Sequence, residues 1–256
     1  MITINDFIIN KEHFPDNTQI LFNLGFDTLQ LGSNKSINIK WKYESDEELV
    51  TLYFIVNHIR ERLINVTVNK PQIFLKMYYC PNARMDRVKN ASEVFTLKYF
   101  AKFINDLHFD SVTIIDPHSD VTSALFDNLF VIQPFDTIGI VAKGIEKLES
   151  DKPILYFPDA GAKKRYNKVY ENNKYNVCFG EKVRDWSTGK ILGLDVKQDN
   201  EKFDLKDRTV LMIDDIISYG GTMYYSALKL KELGVKNIYI YCTHLENSVL
   251  NKEKGT

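Results

Sequence analysis

The sequence predicts an α/β protein of two domains, each with a mostly parallel sheet flanked by helices. Three observations lead there. Runs of strand length that stay apolar on both faces, such as Ile154-Leu-Tyr-Phe157 and Thr209-Val-Leu-Met-Ile213, belong in sheets covered from both sides. Stripes at helical period separate these runs. The length, 256 residues, suits two domains of about 100–150 residues better than one. Composition narrows the class further: 44% hydrophobic and 26% charged residues exclude a disordered chain. With 33 Lys+Arg against 34 Asp+Glu, the chain lacks the basic excess of a protein that holds nucleic acid through bulk charge. No apolar run approaches the ~20 residues that span a bilayer, and the opening Met1-Ile-Thr-Ile-Asn-Asp has no secretory pattern. Cys80, Cys178 and Cys242 lack metal-ligand spacing, and their odd count fits a reducing compartment. The expectation is a cytoplasmic protein with neither membrane nor nucleic-acid partner.

The elements follow in order. Ser45-Asp46-Glu47-Glu48 has the form of a capping box, with Ser45 as N-cap. Behind it Leu49, Leu52, Tyr53, Val56, Ile59 and Leu63 recur at helical period. Gln72-Ile-Phe-Leu-Lys-Met-Tyr-Tyr79 is a strand, and Leu97, Phe100, Ala101, Ile104 and Leu107 mark the next helix. Val112-Thr-Ile-Ile-Asp116 is a second strand, stopped by Pro117. Pro134 and the polar stretch 146–152 interrupt the alternation, so the domains are set at 1–138 and 139–256. Beyond the break, Ile154-Leu-Tyr-Phe157 precedes a basic helix opening at Lys163-Lys-Arg-Tyr-Asn-Lys168. Asn176-Val-Cys-Phe179 and Gly193-Leu-Asp-Val196 are strands. Thr209-Val-Leu-Met-Ile213 is the clearest strand. Met223, Ala227, Leu230 and Leu233 give a helix closed by Gly234, and the chain returns as a strand over 235–242.

The most informative segment is Val210-Leu-Met-Ile-Asp214-Asp215-Ile-Ile-Ser218-Tyr219-Gly220-Gly221-Thr222. An apolar strand ends in two carboxylates, and a Gly-Gly-Thr turn opens a helix. Ligands of open α/β sheets bind at the carboxyl ends of strands, and a helix N-terminus there offers backbone N–H groups suited to phosphate. Two acids beside it can accept hydrogen bonds from a ribose diol. A Gly-Gly turn alone would be an acidic flexible turn; the whole string reads as a ribose-phosphate site.

This string resembles the phosphoribosyl-diphosphate motif of type I phosphoribosyltransferases and of ribose-phosphate diphosphokinases (PRPP synthetases). Four further segments favour the second family. Tyr79-Cys-Pro-Asn-Ala-Arg84-Met-Asp86-Arg87 resembles its Tyr-Ala-Arg-Gln-Asp-Arg/Lys block, and Asp116-Pro-His118-Ser119 its Asp-Leu-His-Ser/Ala block. Pro158-Asp159-Ala160-Gly161-Ala-Lys-Lys164-Arg165 is similar to Pro-Asp-x-Gly-Gly-x-Lys-Arg, and Lys182-Val-Arg184 to the Lys-x-Arg of the flexible catalytic loop. The blocks occur in the family's order across nearly the whole chain. A phosphoribosyltransferase, the nearest competing class, would not need the first four.

The resemblance implies two type I phosphoribosyltransferase-like domains and Mg2+-dependent transfer of the diphosphoryl group of ATP to the anomeric hydroxyl of a ribose 5-phosphate unit. It implies Lys182 and Arg184 as catalytic groups. ATP would be bound by Phe14, Asp16, Arg84, Asp86 and His118, with Phe14 stacking on adenine and Asp16 accepting from its amino group. The diphosphate falls to Asp159, Ala160 and Gly161, with Lys164 and Arg165 open to a reading as a solvated first turn, and the ribose phosphate to Asp214, Asp215, Ser218, Tyr219, Gly220, Gly221 and Thr222. His118 and Asp159 are the implied magnesium ligands, although magnesium prefers oxygen and a lone His would not suggest it. Because the family shares adenine contacts across a subunit boundary, a homo-oligomer, dimer or higher, is expected.

The chain also departs from the pattern. Ser218 and Tyr219 replace the Asp-Thr that opens the family's phosphate loop, Met85 replaces a Gln, and Thr18 replaces a Glu of the adenine segment. Losing a carboxylate and gaining a phenol alters the surroundings of the acceptor's 5′-phosphate, so the acceptor is ribose 5-phosphate or a 5′-extended form such as ADP-ribose. Only 13 residues precede Phe14, shorter than the family's lead-in, and the segment 245–256 reads as a polar tail, so hexamer formation and allosteric control are not carried over. A non-catalytic associated subunit should have lost the loop cations or the metal ligands, yet Lys182, Arg184, His118 and Asp159 are all present.

Overall fold

The computed structural model describes residues 1–22, 24, 36–64, 70–171, 175–184, 191–199 and 203–250, with side chains omitted at 182–184 and 191–193. It divides into two compact units, Met1–Ile132 and Gln133–Thr256.

In the first unit β1 (Ile2–Ile4) and β2 (Phe7–Ile8) form a short antiparallel ribbon. Next, β3 (Asn10–His13) and β4 (Gln19–Phe22) make a separate hairpin. There follow β5 (Ser36–Trp41), α1 (Glu47–Arg62), β6 (Gln72–Met77), α2 (Thr96–Asp106), β7 (Ser111–Ile115), α3 (Asp120–Leu125) and β8 (Leu129–Ile132). The main sheet runs β2-β1-β5-β6-β7-β8, parallel from β5 onward. Ile37, Ile39, Trp41, Ile73, Leu75, Met77, Val112 and Ile114 share a core with Leu52, Ile55, Val56 and Ile59 of α1 and Leu97, Phe100 and Ile104 of α2.

Alternation is stronger here than the sequence suggested. Among the described residues Asn38, Lys40, Phe74, Lys76, Thr113 and Phe130 line a shallow depression of about 460 Å³ on the sheet's other face. The sequence also misjudged the start of α1. Its N-cap is Asp46, with no side-chain cap bond, and Glu48 does not turn back to Ser45. The Glu48 carboxylate is buried, where it accepts from Trp41 Nε1 at 2.9 Å and the Glu44 amide at 2.8 Å and also binds the Met1 ammonium. A buried indole N–H needs an acceptor, and that need outweighs a surface capping box.

The second unit opens with α4 (Phe135–Glu149), where the sequence had placed a break around 134–150. Ile138, Ala142 and Ile145 bury one stripe of that helix, while its outward side mixes Asp136, Lys143 and Lys147 with the exposed Ile140 and Leu148. Then come β9 (Ile154–Phe157), α5 (Ala160–Arg165), α6 (Asn167–Glu171), β10 (Val177–Arg184), β11 (Ile191–Gln198), β12 (Thr209–Ile217), α7 (Gly221–Glu232), β13 (Asn237–Leu245) and a 3-10 turn at Asn247–Leu250. The sheet runs β11-β10-β9-β12-β13, antiparallel only between β10 and β11. Leu155, Phe157, Leu211 and Ile213 pack towards α4, α5 and α6, while Ile154, Tyr156, Val210 and Met212 pack with Met223 and Leu230 of α7. Both faces are therefore covered, as continuous apolar strands require.

Gly180 in β10 is where the sheet is tightest. A Cβ there would sit 2.6 Å from both the Pro158 carbonyl oxygen and the Tyr156 hydroxyl. The Tyr156 hydroxyl is held by Ser226 Oγ at 2.8 Å in the core. Gly180→Ala is expected to lower stability by about 1–3 kcal/mol through overpacking, read as a lower denaturant midpoint at unchanged slope.

Candidate functional site

In the second unit the site arises where the central strand stops first. The β12–β9 pairing ends at Met212↔Tyr156, and Pro158 then turns the chain out of the sheet. On the other side β12 continues to Ile217 against β13, with Asp214 opposite Cys242. The acid pair thus lies inside a strand, not beyond its end as the sequence suggested. Its β9-side neighbour has already left the sheet, which opens a crevice at the carboxyl edge. β10 also runs past β9: their last pair is Phe179↔Phe157, and beyond it β10 pairs only with β11. Lys182, opposite Leu194, lies on that extension, and a register shift separates Val183 from Arg184. The side chains of Lys182 and Arg184 lie outside the described residues.

Asp159 caps α5 from an extended conformation, and its Oδ1 accepts from the Ala162 amide at 2.8 Å. The Lys163 amide bonds the Asp159 carbonyl, so Ala160 and Gly161 carry the first-turn amides that a helix does not use internally. A Cβ on Gly161 would meet Asp159 Oδ1 at 3.1 Å. At the far side of the crevice Gly220 adopts φ 84° as the N-cap of α7, a conformation that costs any residue with a Cβ. Nothing stands within 4 Å of where a Gly221 Cβ would be. The amides of Gly221 and Thr222 belong to the first turn of α7, where a helix supplies no internal partner for its N–H groups. Ser218 is half-buried, Thr222 is exposed and the Tyr219 side chain is 42% exposed.

The two carboxylates differ. Asp215 is 3% exposed and lies 2.6 Å from Arg165 Nη1. Arg165 and Lys164 were open to a solvated reading in the sequence; Lys164 is exposed, but Arg165 is this buried carboxylate's ion-pair partner. Asp214 is less enclosed, and its Oδ1 accepts from the Asp215 amide at 2.9 Å. Burial, then the neighbouring Asp215, holds the Asp214 carboxyl well above the usual carboxylate range. Burial and the Asp214 charge likewise raise the Cys242 thiol.

In the first unit two blocks gather at one sheet edge, because the parallel neighbours β6 and β7 end there. The loop after β6 turns at Asn82 (φ 61°) and carries exposed Arg84, half-buried Met85 and half-buried Asp86, 3.6 Å from Arg87. After β7, buried Asp116 at φ 48° redirects the chain into Pro117, half-buried His118 and Ser119. Ser119 Oγ and Thr122 Oγ1 are buried with no hydrogen-bond partner among the described residues. Phe14 and Asp16 occupy the exposed turn between β3 and β4. Asp16 Oδ1 accepts from the Thr18 amide and hydroxyl at 3.0 and 2.7 Å, bonds that hold its carboxyl below the usual range. His13 and Lys11 fasten this hairpin to Glu47 at the start of α1, at 2.7 and 3.0 Å.

The structure thus gathers Asp159, Ala160, Gly161, Asp214, Asp215 and the 218–222 loop at one edge of the second unit, and Arg84, Asp86 and His118 at one edge of the first. Arg165 is the site residue whose contact the sequence did not foresee. Its only signal was a place in the Pro-Asp-x-Gly block, because an arginine in a basic first turn looks solvated. Cys80, Cys178 and Cys242 are free thiols. No helix among the described residues is long and apolar enough to cross a membrane.

No family model matches the chain, but curated relatives do. A ribose-phosphate pyrophosphokinase of Saccharolobus solfataricus is 26% identical over 204 residues, 79% of this chain and 65% of that protein. So the chain spans just under two thirds of that relative. The Thermococcus kodakarensis protein of the same name is 27% identical over 237 residues, 92% of this chain and 77% of its own length. Among solved structures, a phosphoribosylpyrophosphate synthetase from Mycobacterium smegmatis superposes with TM-score 0.72 over 93% of this chain and 72% of its own, at 17% identity, which speaks for the fold. The ribose-phosphate pyrophosphokinase of Pyrococcus abyssi is 30% identical over 240 residues, 93% of this chain and 76% of that protein. On that likeness the chain belongs to the ribose-phosphate pyrophosphokinase family, whose members are ATP-dependent diphosphotransferases.

Proposed function

We propose that this chain transfers the β,γ-diphosphoryl group of ATP to the anomeric hydroxyl of a ribose 5-phosphate unit and releases AMP. The observation that carries the reading is the crevice at β12: an acid pair beside a glycine-capped helix N-terminus, at the carboxyl edge of a parallel sheet. Asp214 accepts hydrogen bonds from the ribose hydroxyls, and the amides of Gly221 and Thr222 hold the phosphate, with Ser218 and Tyr219 lining its exit. The amides of Ala160 and Gly161 receive the diphosphate. Lys182 and Arg184 supply positive charge where the bond between the β-phosphorus and the α-bridging oxygen breaks, since phosphoryl transfer is chiefly positioning and charge neutralisation. Arg84, Asp86, His118, Phe14 and Asp16 serve ATP, and self-association to at least a dimer completes its adenine contacts.

Magnesium is the implied cation. Among the described residues no three His, Cys, Asp or Glu side chains cluster as a metal cage. A cation held by one or two carboxylates plus substrate phosphates needs no such cage. Asp159 fits: one carboxylate oxygen caps α5 and the other is a hard donor at an exposed edge. His118, a nitrogen donor, is the less suited of the two. When bound, magnesium neutralises charge on the transferring phosphates.

The altered 218–222 loop favours an acceptor with a substituent beyond its 5′-phosphate, ADP-ribose, because Tyr219 offers an exposed aromatic face where the family has a small side chain. Incubation with ATP, magnesium and either ribose 5-phosphate or ADP-ribose, followed by AMP release, decides between them. A kcat/KM about 2–10-fold higher for ADP-ribose is expected, the worth of one stacked ring. A preference for the free sugar phosphate would leave the transfer reaction standing and remove the extended acceptor. Release of AMP with neither would remove both.

A further inference from the structure

We propose that Arg165 is a positioning residue for the acceptor: by holding Asp215 in a buried ion pair on one side of the sheet, it leaves Asp214 as the carboxylate that faces the sugar. The inference rests on the ribose-phosphate reading of the crevice and divides the labour within its acid pair.

Consecutive residues of a strand point to opposite faces. Leu211 and Ile213 pack towards α4, α5 and α6, and Asp215 continues that side, where Arg165 of α5 meets it at 2.6 Å. Val210 and Met212 pack with α7, and Asp214 continues that side, from which Gly220 and Gly221 open the phosphate loop. The Arg165 side chain is 22% exposed and that of Asp215 only 4%. Little solvent therefore reaches the pair, and the guanidinium is the counter-charge beside that buried carboxylate. Among the described residues Asp214 feels Asp215 beside it on its own strand, whose carboxyl reaches its own, the charge of Arg165 at α5, and Cys242 opposite it on β13. Burial raises the proton affinity of Asp214 most, Asp215 raises it further and the charge of Arg165 lowers it, while the Cys242 thiol, itself raised, stays neutral. Only ionised Asp214 accepts from both hydroxyls of a diol with its full acceptor capacity. Arg165 thus acts on the sugar through the acid pair without touching it.

Acceptor affinity measured by calorimetry across about pH 6–9, with the ionised form favoured as pH rises, tests this. Arg165→Gln is expected to move the acidic limb of acceptor binding up by about one pH unit and to weaken binding about tenfold at neutral pH, while ATP affinity changes less than about twofold. Arg165→Lys, which keeps the charge, is expected to restore the limb. If Arg165→Gln folds poorly because Asp215 is left buried and unpaired, Arg165→Gln with Asp215→Asn removes that lone charge. Its limb is expected at or below the wild-type pH. A limb unmoved in Arg165→Gln, Lys and Gln variants that behave alike, an equal loss of ATP, or a double variant whose limb stays high would each overturn the proposal. Asp214→Asn separates the two levels: should it leave acceptor affinity intact, the ribose reading falls; should it weaken acceptor while the Arg165 limb stays put, only the role of Arg165 falls.

Discussion

Replacing Lys182 and Arg184 together by alanine is expected to reduce turnover by about a thousandfold or more, the loss typical when charge stabilisation is removed from a phosphoryl-transfer site. Each single substitution should cost about a hundredfold, and the two losses should not add, since both cations serve one developing charge. Stability should hardly move. β10 is held here by backbone bonds to β11, with Lys182 opposite Leu194, and alanine preserves them. A melting temperature within a few degrees of wild type, equivalent to about 1 kcal/mol or less, is the matching control. AMP release within tenfold of wild type by the double variant would remove both residues from the reaction.

Asp214→Asn should separate binding from stability by moving them in opposite directions. Asp214 is held above its ordinary proton affinity by burial and by Asp215. A carboxyl raised in this way stabilises the fold below its unfolded value, near pH 4, and loses that contribution as pH rises through the folded value. At pH 8–9 the free wild-type protein therefore carries an unfavourable buried charge that the neutral amide lacks. Asn is also able to keep the acceptor atom for the Asp215 amide, now 2.9 Å away. The variant should be as stable as wild type or more so at alkaline pH, with the difference shrinking on acidification. Its acceptor affinity should fall about 10–100-fold, the worth of a hydrogen bond to a charged acceptor, while ATP affinity holds. Equal weakening of both substrates would argue against the assignment to the sugar.

Much of this site could be read in the chain because its chemistry is local. Asp214, Asp215 and 218–222 are contiguous, so strand, turn and helix signals singled them out without any long-range contact, whereas Asp159 to Gly161 were named through the family resemblance. Features that depend on distant partners could not be read. Glu48 looked like a capping residue because the buried Trp41 indole that claims it is invisible in a local window. Arg165 looked solvated because its partner stands fifty positions away. The helix Phe135–Glu149 was lost because Pro134 and the polar stretch 146–152 look like a break, although Ile138, Ala142 and Ile145 kept the period. The inequality of the two acids follows from alternation across a strand, but only once the strand was known to run through them to Ile217.

The close approach at Gly180 bears on how the arm carrying Lys182 is able to travel. Its base is clamped against the Pro158 carbonyl and the Tyr156 hydroxyl, immediately beside the Asp159 turn. Bending of β10 relative to β9 is therefore resisted at Gly180 and left to the residues beyond it, where β10 pairs with β11 alone, as a diving board flexes only beyond its fulcrum.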